Sequence, residues 1–258
     1  MNIGTENLKL CKNIITNRQN GFFKEFIKLI IIQIIKIVGN FQKTNKMKKD
    51  IFEKDFTDKL NQNFNKQSKY FDFKLKVFYE LSPIIFEINK CLLLDLNKAS
   101  ITLTNNLLER LLKLALVYNE TGIDSKPVEN WDSDFSKPNS DYGSMQLGNT
   151  IEKCKKFNLL NQSEKVYLFD IVRELMRNGF SYADTNKILS DLPDSLKMFE
   201  INLSNSNEIK EVNIKHKVIP FLQAIQIESF AKENANHYFD YVFNLIFRIE
   251  LRLIDKNK

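Results

Sequence analysis

Turn-forming residues are scarce in this chain: seven Gly and five Pro are spread over 258 residues. A β-sandwich or barrel needs a turn signal about every 8–12 residues, supplied mostly by Gly, Pro, Asn and Asp clusters. So few Gly and Pro favour long segments that satisfy their own backbone hydrogen bonds, which means helices. Apolar residues make up 43% of the chain and aromatics 12%, enough for a substantial core at this length. The expected fold class is therefore all-α.

Apolar periodicity supports that expectation from Phe73 onward. The stretches KLKVFYELSPIIFEINKCLLLDLN and ASITLTNNLLERLLKLALVYNE are helical in pattern, with Pro83 suited to a first helical turn. Between Ala99 and Tyr118, Ile101, Leu103, Leu107, Leu108, Leu111, Leu112, Leu114 and Ala115 form a broad apolar surface. Asn105, Glu109 and Lys113 recur at four-residue spacing as one polar edge of the same helix. The next segment, TGIDSKPVENWDSDFSKPNSDYGS, is rich in Gly, Pro, Ser and Asp without an apolar period, and reads as a long loop over 121–144. Two further helices follow, MQLGNTIEKCKKFNLL and SEKVYLFDIVRELMRN. Ser163 is placed to cap the second, and Gly179 stands where a left-handed C-terminal residue is wanted. On a wheel of about 100° per residue, Asp170, Arg173, Glu174 and Arg177 share one face opposite Val166, Phe169, Val172 and Met176. The alternation VNIKHKV suggests an irregular or two-stranded excursion, and Tyr238, Val242, Leu245, Ile249 and Leu253 mark a long final helix.

Charge divides the chain unevenly. Residues 1–80 hold sixteen Lys and Arg against eight Asp and Glu, whereas the remainder holds 22 against 24. Residues 41–72 are polar and rich in Asn and Lys, so the organisation expected is a basic helical extension or linker over 1–72 and a helical domain over 73–258. A basic arm on a near-neutral body suits phosphates or acidic surfaces. Within the arm, FFKEFIKLIIIQIIKIVG (22–39) is the most apolar run, but Lys24, Glu25, Lys28, Gln33 and Lys36 interrupt it. A central charge costs about 2.5–3.5 kcal/mol in hydrocarbon, so no integral membrane span is expected. A buried or partner-binding helix fits the pattern, with attachment to a membrane surface as the other reading. Cys11, Cys91 and Cys154 are scattered, with neither metal-ligand nor disulfide-framework spacing. That usage and the non-signal-like start MNIGTENLKLCKN lead to a cytoplasmic expectation. No Gly-rich nucleotide loop, paired-carboxylate motif or Ser/His/Asp array emerges, so neither cofactor nor metal is expected.

One short stretch remains, LMRNGFSYAD at residues 175–184. An Arg-Asn-Gly ending has an ordinary structural account, because cationic groups are favoured near the negative end of a helix. The stretch also resembles the signature of the HEPN superfamily, an Arg, often followed by Asn, then a short spacer and a His. Here Arg177 and Asn178 match, and Tyr182 stands where the family has His. The flanking blocks INKCLLLDLNKASITLTNNLLERLLKLAL and AKENANHYFDYVFNLI are similar to those of bacterial HEPN-like proteins, extending the resemblance over roughly residues 75–254.

The resemblance implies a HEPN-like helical bundle, often a homodimer in which two copies of the motif meet, and commonly a metal-independent ribonuclease of antiviral-defence or toxin–antitoxin systems. By that carry-over Arg177 contacts the scissile phosphate, a task suited to the fixed fork of a guanidinium, and Asn178 helps orient the site. Residue types and helix faces suggest that Glu109 positions Arg177 through an ion pair. Tyr182 departs from the pattern: a phenol with pKa about 10 is a poor base at neutral pH, where an imidazole near 6.5 exchanges protons readily. It can still donate a hydrogen bond or stack on a base. RNA is thus the expected partner, either cleaved or only bound. A reading from another class is a non-enzymatic helical module that pairs with a nuclease or nucleotidyltransferase partner through the apolar 22–39 helix. In a third, the charged stripe around Arg173 and Arg177 is an ordinary surface network worth little energetically.

Overall fold

A computed structural model describes residues 49–181, 195–201 and 209–258. The apolar 22–39 run lies outside them. Contacts divide the chain into two units, Met1–Asp58 with Asp191–Pro193, and Lys59–Ser190 with Asp194–Lys258. The division falls inside the first described helix, α1 (Lys49–Gln67). In the first unit, the described part of α1 carries a Lys49–Glu53 ion pair at 3.1 Å and adjacent Phe52 and Phe56 rings.

The second unit is helical. After the end of α1 come α2 (Ser82–Leu93), α3 (Asn97–Thr121), α4 (Trp131–Gly143), α5 (Leu147–Lys156) and α6 (Gln162–Val166). The chain continues from α6 without interruption as a π-helical segment, Tyr167–Ser181. A hairpin of β1 (Leu196–Ile201) and β2 (Ile209–Ile214) precedes the closing helix α7 (Pro220–Lys256). The strands are antiparallel, with Leu196 opposite Ile214 and Ile201 opposite Ile209. The fold is all-α with this one described ribbon; the sequence alternation VNIKHKV overlaps only the end of β2, and His216–Val218 form a 3-10 turn.

Helix α3 is central, packing against α2, α4, α5, the π-segment and α7. Its apolar set explains why: Ile101, Leu107, Leu108, Leu111, Leu112 and Ala115 are fully buried. The predicted stripe of α7 is buried as well, from Tyr238 through Val242, Leu245, Ile249 and Leu253. Gly122 stops α3 with φ 81°, a left-handed conformation that side chains with a Cβ resist. Pro83 occupies the first turn of α2, where its missing N–H costs nothing.

Several local expectations are corrected. Residues 121–144 are not a continuous loop, since Val128–Asn130 form a 3-10 turn and Trp131–Gly143 form α4. Polar contacts hold this helix where an apolar period is lacking: Lys126 pairs with Asp134 at 2.9 Å, and the Trp131 indole donates to the Lys126 carbonyl. Residues 73–78 are not helical. Glu250 on α7 accepts the backbone N–H groups of Lys76, Val77 and Phe78 at 2.9, 2.8 and 3.0 Å through one carboxylate oxygen, which fixes a non-helical path for them. Gln67 and Tyr70, which precede the expected 72/73 boundary, are buried in this unit, with the Tyr70 ring edge-on to Phe239 and Phe243.

The cap of α6 is Asn161 rather than Ser163. The Asn161 side chain accepts the Glu164 N–H at 2.8 Å, and Glu164 accepts the Asn161 N–H at 2.9 Å, a capping box. The same carboxylate, 3% exposed, accepts from Arg248 at 2.8 Å and from both terminal nitrogens of Arg252 at 2.6 and 3.1 Å. Burial works to raise the Glu164 pKa, but the hydrogen bonds from Arg252 and Asn161 and the two cationic charges outweigh it and hold the carboxyl below its usual range. A depressed folded-state pKa contributes stability above the unfolded value, about 4.3, and that contribution disappears as pH falls through the lower folded value. Glu164→Gln is therefore expected to cost about 3 kcal/mol at neutral pH, a typical price for breaking a buried charge network. In chemical denaturation the gap from wild type should shrink steadily below about pH 4.

Candidate functional site

The helix carrying Arg177 differs from the sequence expectation in its winding. Hydrogen bonds of the π type span more residues than α-helical ones, so a wheel of about 100° per residue misassigns faces. Val172 and Met176, expected on the apolar face, are buried, as is Leu168, whereas Val166, in the α-helical turn before the segment, is 46% exposed. The segment also runs through Gly179 to Ser181, so Gly179 does not end it. Long π-helical runs are rare, and short ones concentrate at functional sites. Arg173 lies with its guanidinium 3.8 Å from the centre of the Phe169 ring. It also crosses the backbone of α5 so closely that a Cβ on Gly148 would meet its Nη1 at 3.0 Å.

Arg177 and Asn178 sit near the end of this segment, described by their backbone. Tyr182 lies just beyond, outside the described residues. The backbone of the Arg177 turn is anchored by Asn105 of α3. Its amide nitrogen donates to the carbonyl of Met176 at 2.9 Å, and its amide oxygen accepts from the Tyr238 hydroxyl of α7 at 2.7 Å. Both Asn105 and Tyr238 are buried. Burial raises the Tyr238 pKa far above its ordinary range, and Tyr167, Glu109 and Tyr241 push in the same direction. The phenol therefore stays protonated and remains a donor.

Glu109, half-buried, is one turn along α3 from Asn105. It lines a cleft of about 480 Å³ with Asn106, Arg110 and Lys113 on α3, and Asn139, Tyr142 and Gly143 on α4. Lys113 Nζ donates to the Gly143 carbonyl at 2.7 Å. Tyr142 donates to Glu120 at 2.6 Å, and burial, reinforced by that carboxylate, pushes its phenol up to about 12. Sequence reading placed Asn105 and Lys113 on the polar edge of α3 but assigned neither a task. The signal for Asn105 was an amide standing just before the leucine-rich run Leu107–Leu112. Arg110 gave its own signal, lying four residues after Asn106 and three before Lys113, so that all three share a face.

Of the two histidines, His237 is exposed on α7, beside Asp240. Burial opposes ionisation of that aspartate, while Lys69 at 2.7 Å and the Tyr70 hydroxyl lower its pKa overall. Cys154 is a buried free thiol raised by desolvation, and Cys91 is also free. Among the described residues, no group of His, Cys, Asp and Glu is arranged to hold a metal ion, and no helix is long and apolar enough to cross a membrane.

The Asn105 bridge generates a double-mutant prediction. Tyr238→Phe and Asn105→Ala should each destabilise the fold by about 1–3 kcal/mol, since each leaves a buried polar partner unmet. Measured by urea unfolding, their effects should fall short of additivity by about 1 kcal/mol, because the two groups share one bond. Additive losses would mean that the bridge carries no coupling.

Compared with protein-family models, curated proteins and solved structures, the chain matches none.

Proposed function

We propose that this chain is an RNA-directed, HEPN-like protein that works as a homodimer in a prokaryotic antiviral-defence or toxin–antitoxin setting. In this reading Arg177 contacts the scissile phosphate and stabilises charge developing on it. Asn178 orients that contact, and Glu109 positions the guanidinium. The observation that carries the reading is the anchored backbone beside Arg177: the Met176 carbonyl is held at 2.9 Å by a buried amide of α3, one turn from Glu109. Preorganisation of this kind lets a guanidinium meet a phosphate without first ordering its helix.

Tyr182 sets the chemistry available. A phenol with an ordinary pKa donates a hydrogen bond and stacks on bases but does not serve as a base at neutral pH. Binding and cleavage are therefore separable in this protein, and the reading includes a form in which only binding survives.

A second reading, a non-enzymatic module that docks on another protein, draws support from one surface feature. Phe64, Phe71 and Phe86 are 49, 36 and 48% exposed and form a continuous ring array, with centroids 6.4 and 5.6 Å apart. Lys90 covers the Phe86 ring at 4.7 Å. Exposed rings in a connected patch are more typical of an interface than single scattered ones.

A cleavage assay on total RNA and tRNA without added metal separates these readings. The expected outcome is cleavage that Arg177→Ala reduces at least about a hundredfold, the scale of losing one transition-state contact, or silent wild type that Tyr182→His activates. Silence in all three proteins, combined with a stable RNA-independent hetero-complex, would transfer the function to the phenylalanine surface.

A further inference from the structure

The cleft between α3 and α4 brings cationic, amide and apolar side chains together. Among the described residues, several Lys and Arg side chains are committed to carboxylates: Arg248 and Arg252 to Glu164, Lys69 to Asp240, Lys126 to Asp134, Lys165 to Glu152. Arg110 is not, and it borders the cleft. It is exposed at the cleft mouth and makes no ion pair or hydrogen bond among the described residues, although Glu109 and Lys113 flank the same opening. Lys113 is tied to the last carbonyl of α4, which leaves Arg110 as the cation available to a ligand. The amides of Asn106 and Asn139 line the cleft from its two sides, and both residues are exposed.

These groups define a ligand chemistry. A planar guanidinium offers paired donors matched to two oxygens of one phosphate, and neutral amides add donors without demanding a counter-charge. The Tyr142 phenol on the cleft wall is committed to Glu120 and brings no negative charge. The apolar floor, made by Ile84, Leu114 and Val117, suits a sugar or base edge better than water. Asn105 and Arg110 are five residues apart, so Arg110 lies roughly 7.5 Å further along the α3 axis than the amide that anchors the Arg177 turn.

We propose that this cleft is a phosphodiester subsite for single-stranded RNA, with Arg110 contacting one backbone phosphate and Asn106 and Asn139 bonding to the adjacent sugar–phosphate. The inference rests on the RNA-directed reading above and adds to it a binding element outside the Arg177 motif. Arg110 binds and positions; it does not act on the reacting atoms. A phosphate contact carries no base preference, so the subsite sets affinity and register rather than sequence.

The test is fluorescence-anisotropy binding of a labelled oligouridylate and a mixed-sequence oligonucleotide to the full chain across a salt series, with Arg110→Ala, Arg110→Lys and Arg177→Ala. Loss of one phosphate contact on a single strand removes about 0.7 from the slope of log K against log salt, equivalent to about a fivefold loss of affinity near 0.1 M salt. Arg110→Ala should show both effects equally on the two RNAs, with an unchanged melting temperature because no partner is lost. Arg110→Lys should recover the slope but only part of the affinity, since an ammonium keeps the charge and lacks the fork. Wild-type binding with an unaltered Arg110→Ala slope and affinity overturns the subsite and leaves the RNA-directed reading standing. Absence of RNA binding by wild type overturns both, and a loss confined to one RNA sequence overturns the phosphate assignment.

Discussion

A single buried amide fixes how three helices meet. Apolar surfaces such as those of α3 and α7 gain free energy from contact in many alignments, because the hydrophobic effect is non-directional. Asn105 removes that freedom. Its oxygen must meet the Tyr238 hydroxyl, and its nitrogen must meet the Met176 carbonyl, or polar groups are left unpaired in the core. The register of α7 on α3 and the position of the π-segment are thereby coupled. Glu164 supplies a second constraint, joining the α6 cap to Arg248 and Arg252 of α7. The segment that bears Arg177 is thus tied at its start through the α6 cap and near its end through Met176.

This arrangement gives α3 two roles on different faces. One of its buried polar residues, Asn105, is a structural clamp that bonds to both Met176 and Tyr238. Its outward residues, Asn106, Arg110 and Lys113, border a cleft in which one cation is left without an internal partner. In the proposed function the clamp preorganises the Arg177 turn, and the cleft extends the contact with the RNA backbone. Neither task needs Tyr182 to act as a base, so substrate recognition does not depend on the departure at that position.

The parts legible in sequence were those governed by local periodicity. Scarce Gly and Pro pointed to helices, and the apolar stripes of α3 and α7 marked most of their buried faces, although Leu103 and Leu114 are only half-buried. Three things were hidden for distinct physical reasons. Helix α4 is held by polar contacts such as Lys126–Asp134, which leave no apolar period. The path of Lys76–Phe78 is set by Glu250, more than 170 residues later, through tertiary bonds that override a helical pattern. The π-helical winding of Tyr167–Ser181 carries the segment past Gly179, where an α-helical reading placed its end. At the candidate site, Arg177 was singled out by the resemblance of its motif, and Glu109 by residue type and helix face. The anchoring role of Asn105 required knowing which helices cross.

The most direct measurement of the central claim is photocrosslinking of 4-thiouridine RNA to the full-length protein, with the attached peptides mapped by mass spectrometry. The account predicts crosslinks in two clusters, one at residues 176–182 and one at residues 106–113 or 139–143, which together trace one RNA path. Crosslinks confined to the Phe64–Phe86 surface or to the basic N-terminal third, with neither cluster represented, would contradict it.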